Sequence, residues 1–395
     1  MRADPVPLVK QTSTMLLLLT VAWSAPLDVL RDDSVARAVS GDCAGAEPGL
    51  LRRTEALPDD LGARLALDSC RYGGTQRGTA RSDLASLYKI GATYDPGVLL
   101  KRRDSTPADV ARLAREAQLA LAALVRAMVA AKAYPEAQEA LSEVEPQVGV
   151  SGPTAAARIL VERSQSGAAS TWAIAERTFA AWPDDPDVLE EVARLVFDDA
   201  LSAPDSLLDA IFARGRSTAK FNALLGLLRA KQPAKCIERS GRFTVPDAER
   251  ATLAAIAYRC AVAAPNLAVA DGLLTSHRSA MDARTLALHA RLRAEKGNFE
   301  QALDLVESKL ATEPLAVEVA LEIYAKQGRG DKVEALAAQQ PAGSLARLSA
   351  ATALATVRQF APALLLVEGT CGAYTDQNAA LCTKIVSVAH RGLGK

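Results

Sequence analysis

Histidines and clustered carboxylates are the residues of this chain whose chemistry could serve catalysis or metal binding. The three histidines are His277, His289 and His390. None has a second metal-ligating residue three or four positions away, the spacing that places two ligands on one face of a helix. We therefore interpret His289 as a packed or surface residue rather than a catalytic one, because no partner set accompanies it.

Sequence motifs of catalysis and cofactor binding are also missing. The chain has no G-x-S-x-G, H-E-x-x-H, P-loop or dinucleotide fingerprint. The acidic run 184–187 is predicted to cap a helix that begins at Pro186, because a calcium site needs a denser set of oxygen ligands. The glycine-rich segment 71–78 lacks the G-K-[ST] ending of a phosphate loop, so we expect a helix–helix loop there. We predict no catalytic residue, no cofactor and no metal.

Six cysteines could form disulfide bonds, although an even count alone leaves many connectivities open. Residues at equal distances from the turn of an antiparallel helix pair face each other. This rule favours the pairs Cys43 with Cys70 and Cys236 with Cys260. Cys371 and Cys382 form the third favoured pair, because they span only the short loop 372–376 and the start of the next helix. The alternative is six separate buried thiols, which we would prefer in a cytosolic protein. No pair has the C-x-x-C spacing of a zinc or redox site.

Elements that would position such residues are predicted to be helices. Hydrophobic residues make up 49% of the chain and aromatic residues only 4%. Alanine and leucine dominate, and this composition suits closely packed helices better than sheets. Lysine plus arginine and aspartate plus glutamate both number 46. The balanced charge argues against a nucleic-acid partner, whose binding site is basic.

The N-terminus resembles a secretory signal peptide. Arg2 and Lys10 precede an apolar run from Met15 to Trp23, and small residues follow, so we predict cleavage near Ser24. The run is shorter than the about 20 apolar residues that span a bilayer. We expect a periplasmic or secreted protein, with no membrane association indicated after cleavage. The alternative is a cytoplasmic protein whose apolar N-terminus is folded in.

One helical hairpin is clearest between residues 281 and 340. Gly297 and Phe299 are followed by Ala302 and Val306, and Pro314 ends the pattern. Large and small apolar residues recur three and four positions apart on both sides of Gly297, as in two amphipathic helices. Similar turns recur about 29 to 38 residues apart, at 132–134, 170–172, 202–204, 231–233, 265–267, 328–330 and 358–360. The segments that repeat the arrangement contain Tyr134 and Ala137, Ala175 and Phe179, Ala270, and Phe360 with Ala363.

This pattern resembles the tetratricopeptide (TPR) repeat, a helix–turn–helix unit of about 34 residues. Only the unit around Gly297 is close to the family pattern, and even there His289 and Ala290 replace a leucine and a glycine of the first helix. The resemblance covers about residues 107 to 370. It implies a right-handed α–α superhelix in which stacked hairpins share one core and leave a concave face for a peptide or a partner helix.

The resulting domain prediction has four parts. Residues 1–24 form a signal peptide, and residues 25–105 form an N-terminal helical region with a disulfide. Thr106, Pro107 and Asp109 start the first repeat helix, so the TPR-like repeats occupy 106–370. Residues 371–395 form a C-terminal capping helix.

The function expected from these features is that of a noncatalytic scaffold or adaptor of the bacterial cell envelope, which binds a protein or peptide partner. One alternative is an enzyme or enzyme subunit acting on cell-wall polymer, with a catalytic carboxylate in a cleft of residues 26–105. Another is a cytosolic TPR-like adaptor.

Overall fold

The computed structural model describes residues 27–73, 77–101 and 105–394, and these residues form an all-α fold without β-strands. The predicted signal peptide, residues 1–24, lies outside the described residues. Among the helices that are described, none is both long and apolar enough to cross a membrane. The chain divides into two compact units, Met1–Gly226 and Leu227–Lys395.

Unit 1 begins with short helices and continues with longer ones. Its helices are α1 (Leu27–Leu30), α2 (Ser34–Val39), α3 (Cys43–Ala56), α4 (Leu61–Gly73), α5 (Arg77–Thr93), α6 (Pro96–Leu100), α7 (Pro107–Ala130), α8 (Tyr134–Val148), α9 (Gly152–Ser166), α10 (Ala168–Ala181), α11 (Pro186–Asp198) and α12 (Asp205–Arg214). Helix α13 (Ser217–Arg229) ends in unit 2. Helix α7 packs on α9, and α9 packs on α11. Each of these three helices also packs on the helix that follows it in the sequence.

Unit 2 repeats this arrangement with shorter second helices. Its helices are α14 (Pro233–Ser240), α15 (Arg250–Ala263), α16 (Leu267–His277), α17 (Ala283–Glu295), α18 (Phe299–Val306), α19 (Pro314–Lys326), α20 (Gly330–Ala338), α21 (Leu345–Thr356), α22 (Phe360–Val367) and α23 (Asp376–Gly392). Alternate helices pack on one another in the order α15, α17, α19, α21 and α23. Each helix between them packs on the helix before it in the sequence; these are α16, α18, α20 and α22. Unit 2 is therefore a stack of helical hairpins, whereas the right-handed superhelix stays a prediction.

Five hairpin turns share one backbone geometry. In each, one residue has a positive φ and the next N–H donates to the carbonyl five residues earlier, as in a Schellman motif. At Gly297, φ is +83°, and the Asn298 N–H lies 3.0 Å from the Arg293 oxygen. The positive-φ residues are Lys132, Lys231, Gly297, Gly328 and Arg358. All five lie in turns that the sequence pattern predicts.

Small residues at the predicted packing positions are buried between the helices. Those with no exposed surface are Ala137, Ala175, Ala270, Ala302 and Ala363. The large neighbours are half-buried: Tyr134, Phe179, Phe299 and Phe360. Because alanine has only a methyl side chain, helices can approach closely at these positions while the aromatic rings fill the wider gaps. Pro314 occupies the first position of α19, where its missing N–H has no helical partner to lose.

Helix capping confirms two predicted starts. The Thr106 hydroxyl accepts the Asp109 N–H at 3.3 Å, and the Asp109 carboxylate accepts the Thr106 N–H at 2.9 Å. This capping box begins α7 at Pro107. The Asp185 carboxylate accepts the N–H groups of Asp187 and Val188, so α11 begins at Pro186.

One predicted turn is wrong. The pattern places a turn at residues 170–172, but these residues lie inside α10. The chain turns earlier, at Gly167, which has a φ of +82° and ends α9. Trp172 is consequently a helical residue, and its indole Nε1 donates to Asp199 Oδ2 at 3.1 Å.

Candidate functional site

Three disulfides cross-link neighbouring elements of the chain. Their pairs are Cys43–Cys70 between α3 and α4, Cys236–Cys260 between α14 and α15, and Cys371–Cys382 between a short 3₁₀ turn and α23. The pairing is the one that the hairpin rule favours, and no free cysteine remains in the described residues. Disulfides persist in oxidising compartments, so this set of three indicates an exported protein.

An open groove in unit 2 lies between α15 and α17 and has a volume of about 550 Å³. This size lies within the usual range for ligand pockets, roughly 300 to 1,000 Å³. We call it the α15–α17 groove. Its lining residues are Leu228, Arg259, Val262, Ala263, Asp282, Arg284, Thr285, Leu288, Arg291, Leu292 and Glu295.

Helical periodicity explains how these residues come together. Leu288 and Leu292 are four positions apart on α17, and Val262 lies on the facing side of α15. Residues three and four apart share one face of a helix, so the two helices turn an apolar strip toward the groove. Leu288 remains 39% exposed, and Leu292 beside it is half-buried. The floor of the groove is therefore apolar surface left in contact with solvent.

The rim of the groove is charged, and two of its arginines are already paired. The Arg259 Nε lies 3.0 Å from Asp282 Oδ2, and the Arg291 Nη2 lies 3.1 Å from Glu322 Oε1 on α19. Partial burial raises the pKa of Asp282, but hydrogen bonds from Thr285 and the Arg259 guanidinium outweigh it and lower the pKa below its usual value. Asp282 is therefore an anion that both caps α17 and neutralises the groove wall.

A buried polar cluster also joins the same two helices. The Tyr258 hydroxyl of α15 is 2.8 Å from His289 Nδ1 of α17. His289 Nε2 is 3.0 Å from Asp271 Oδ1 of α16, and Arg293 pairs with the same carboxylate. We call these four residues the His289 cluster. Their hydrogen bonds join α15, α16 and α17.

Histidine, tyrosine and aspartate in contact could suggest acid–base chemistry, but the histidine and the tyrosine are buried. Their side chains have no exposed surface, whereas Asp271 is 43% exposed. Burial lowers the pKa of His289, although Asp271 acts in the opposite direction. Burial likewise raises the pKa of Tyr258. His289 is therefore a packed residue with both ring nitrogens engaged, and its having no catalytic role stays a prediction.

A smaller cleft of about 260 Å³ lies in the N-terminal region, where the enzyme alternative would need one. Two of its lining residues carry carboxylates, Glu55 and Asp68. Asp68 is buried, and its Oδ1 lies 3.6 Å from the Arg71 Nη1, whereas Glu55 is exposed to solvent.

The structure places the three histidines apart. Only His289 belongs to a polar cluster; His277 ends α16 and His390 lies in α23, 3.3 Å from Glu368 Oε1. Within residues 27–73, 77–101 and 105–394, no group of three histidine, cysteine, aspartate or glutamate side chains is arranged to hold a metal ion.

The groove and its rim pairs were not predicted from the sequence. Leu288 in α17 reads as one apolar residue among many in an alanine-rich helix, and only its exposure in the fold distinguishes it. The spacing of Leu288, Arg291, Leu292 and Glu295 was the one available indication, since it defines a single helix face.

Comparison with known proteins identifies no relative. No protein-family model matches the chain. No curated protein matches it either.

Proposed function

We propose that the chain is a noncatalytic adaptor or scaffold of the bacterial cell envelope that binds a partner protein in the α15–α17 groove. The observation that carries this proposal is the apolar floor between α15 and α17, where Leu288 and Leu292 remain partly accessible to solvent. Exposed apolar surface bordered by charged residues is characteristic of protein-binding sites.

The hairpin stack of unit 2 gives the groove a rigid frame. Each wall helix packs on its neighbours and is fixed by a hydrogen-bonded turn or a cap, such as the Asp282 cap of α17. We propose further that the hairpins are degenerate TPR-like repeats, for which the shared Schellman turns are the main support. By resemblance to that family, a groove of the stack would take a peptide or a partner helix.

The exported location supports the envelope rather than the cytosol. Three disulfides would be reduced in most cytosols. Sequencing the mature N-terminus separates the two cases: a start near residue 25 places the protein beyond the membrane, and retention of Met1 or Arg2 supports the cytosolic adaptor.

The cell-wall enzyme is less well supported than the adaptor. Its cleft offers one solvent-exposed carboxylate, Glu55, and one ion-paired carboxylate, Asp68.

Site-specific photocrosslinking tests the proposal in living cells. A benzophenone amino acid replaces Leu288 in the groove, and a matched control replaces Leu365, which is 74% exposed on α22 and remote from the groove lining. We expect a discrete adduct with an envelope protein at position 288 and none at 365. Identical adducts at both positions, or no adduct at 288, would contradict the proposal.

A further inference from the structure

The α15–α17 groove has two rim charges that no other described residue neutralises. Arg259 and Arg291 have carboxylate partners, but Arg284 and Glu295 form no ion pair in the described part of the chain. Both lie on α17, eleven residues apart, near its first and last turns. The rise of an α-helix places them roughly 16 Å apart along the axis. The groove therefore has an uncompensated positive end and an uncompensated negative end.

The apolar floor between these ends matches the side of a helix. Leu288 and Leu292 are four residues apart on one wall, and Val262 lies on the other. Two neighbouring helices leave a trough in which a third helix packs at about 8 to 10 Å. Helical partners use anchors at positions i, i+3, i+4 and i+7, which produce the same spacing as the floor. An extended peptide would also bring every second side chain to one face, about 6.6 Å apart, so the charges at the two ends of the groove, rather than the spacing of its floor, favour a helix.

Charge at the ends determines the direction of such a helix. The N-terminus of a helix carries a partial positive charge and its C-terminus a partial negative charge. A helix whose C-terminal end lies at Arg284 and whose N-terminal end lies at Glu295 has a favourable dipole at both ends. Since Arg284 is near the N-terminus of α17, this partner helix runs antiparallel to α17.

We propose that the groove takes an amphipathic helix of a partner protein, antiparallel to α17, with a carboxylate at Arg284 and a basic side chain at Glu295. This inference rests on the proposed function and adds the chemistry and direction of the partner. A second copy of this chain is the competing occupant, and its binding would make the protein self-associate.

Two designed peptides of identical composition test the direction. Both carry the same leucine stripe at i, i+3, i+4 and i+7. The first has a lysine near its N-terminus and a glutamate eleven residues later, and the second has these two residues exchanged. Each is titrated with the oxidised, full-length mature protein at low ionic strength, and fluorescence anisotropy gives the Kd. Because each exposed ion pair contributes only a small part of the binding free energy, we expect the first peptide to bind about five-fold to ten-fold more tightly.

A charge-reversed protein provides the decisive comparison. Arg284 and Glu295 are both exposed, so the double variant Arg284→Glu, Glu295→Lys should fold normally. We expect it to prefer the second peptide by a similar factor. An unchanged preference, equal binding of both peptides, or no binding of either would overturn the inference. Self-association that Leu288→Asp abolishes in sedimentation would also overturn it, in favour of a second copy.

The Leu288 crosslink separates this inference from the proposed function. An envelope adduct at Leu288 combined with no charge preference would leave the adaptor function intact and remove only the antiparallel helix. Peptide discrimination without any adduct in cells would support the groove chemistry and contradict the adaptor function.

Discussion

Replacing Arg53 by methionine is expected to destabilise the N-terminal region by about 3 to 5 kcal/mol. Arg53 is fully buried in α3, and its Nη2 lies 2.8 Å from Asp60 Oδ2 and 2.7 Å from Glu116 Oε2. Methionine retains an unbranched apolar chain but removes the cation. The buried Asp60 carboxylate would then lose its guanidinium partner, whereas Glu116 would keep its pair with Arg112.

The magnitude follows from the burial of the partners. The side chain of Asp60 has no exposed surface, and that of Glu116 is 15% exposed. Burial lowers the pKa of Arg53, yet the two carboxylates outweigh burial and raise it above its usual value. Asp60 also accepts the Ala63 N–H at 3.0 Å at the start of α4, so the carboxylate is held in place. Removing one partner from such a buried pair costs more than the intact pair contributes.

Arg112→Met is the matched control, because Arg112 Nη1 also pairs with Glu116, at 2.6 Å. Its side chain is 31% exposed, so its loss should cost about 0.5 kcal/mol. Hydrogen exchange of α3 and α4 under nonreducing conditions measures both variants. We expect exchange in Arg53→Met to be about a hundred-fold to a few thousand-fold faster than in the parent protein. A loss below about 1 kcal/mol, or equal losses in both variants, would refute the reasoning.

Two further predictions concern unit 2. Because burial lowers the pKa of His289, the unfolded chain takes up a proton first. The contribution of the buried, neutral His289 to the free energy of unfolding is complete above the pKa of histidine in the unfolded chain, about 6.5. It is lost as the pH falls toward the lower pKa of His289 in the folded protein. Urea midpoints should therefore fall between pH 7 and 5, and less so in His289→Gln, which leaves Asp271 and Arg293 in place; equal slopes would contradict this. Arg358→Gly should stabilise the protein by about 1 kcal/mol, because Arg358 has a φ of +62°, which glycine adopts without strain. Gly328→Ala, at a φ of +73°, should destabilise the protein by a similar amount for the same reason. Thermal unfolding measures both variants, and a change of the same sign in both would exclude backbone strain as the cause.

Much of the helical organisation could be predicted from local sequence. Thr106, Pro107 and Asp109 specify a helix start through capping that involves only neighbouring residues. Turns were found for the same reason, since Gly297 or Gly328 can adopt the positive φ that a Schellman motif requires. The disulfide pairs followed from the short loops between the cysteines, such as the loop at residues 57–60, which is almost equally far from Cys43 and Cys70 in the sequence.

The misplaced turn at residues 170–172 has a specific cause. Alanines are so frequent in this part of the chain that Ala175 matches the pattern of a turn followed by a small residue in more than one register. Gly167 carried the correct information, because a glycine between two helical stretches marks a C-terminal cap. The position of Gly167 therefore predicts the turn better than the spacing of the alanines does.

The charged interior was not predictable from local sequence. Arg53 pairs with Glu116, which is 63 residues away, and Tyr258 meets His289 across 31 residues. An arginine or a histidine in an amphipathic helix looks like a surface residue until the neighbouring helix is in place. The groove could not be predicted from local sequence for the same reason, since its walls belong to successive hairpins.

The groove and the His289 cluster both involve the same two helices. Arg259 follows Tyr258 on α15, and Leu288 precedes His289 on α17, so neighbouring residues face the groove and the cluster. An apolar pair in place of Tyr258 and His289 could slide along the interface, whereas a directional hydrogen bond of 2.8 Å fixes one register. The spacing of the groove walls therefore depends on a polar contact that the partner never touches. A variant such as Tyr258→Phe would then weaken peptide binding without altering any residue of the groove lining.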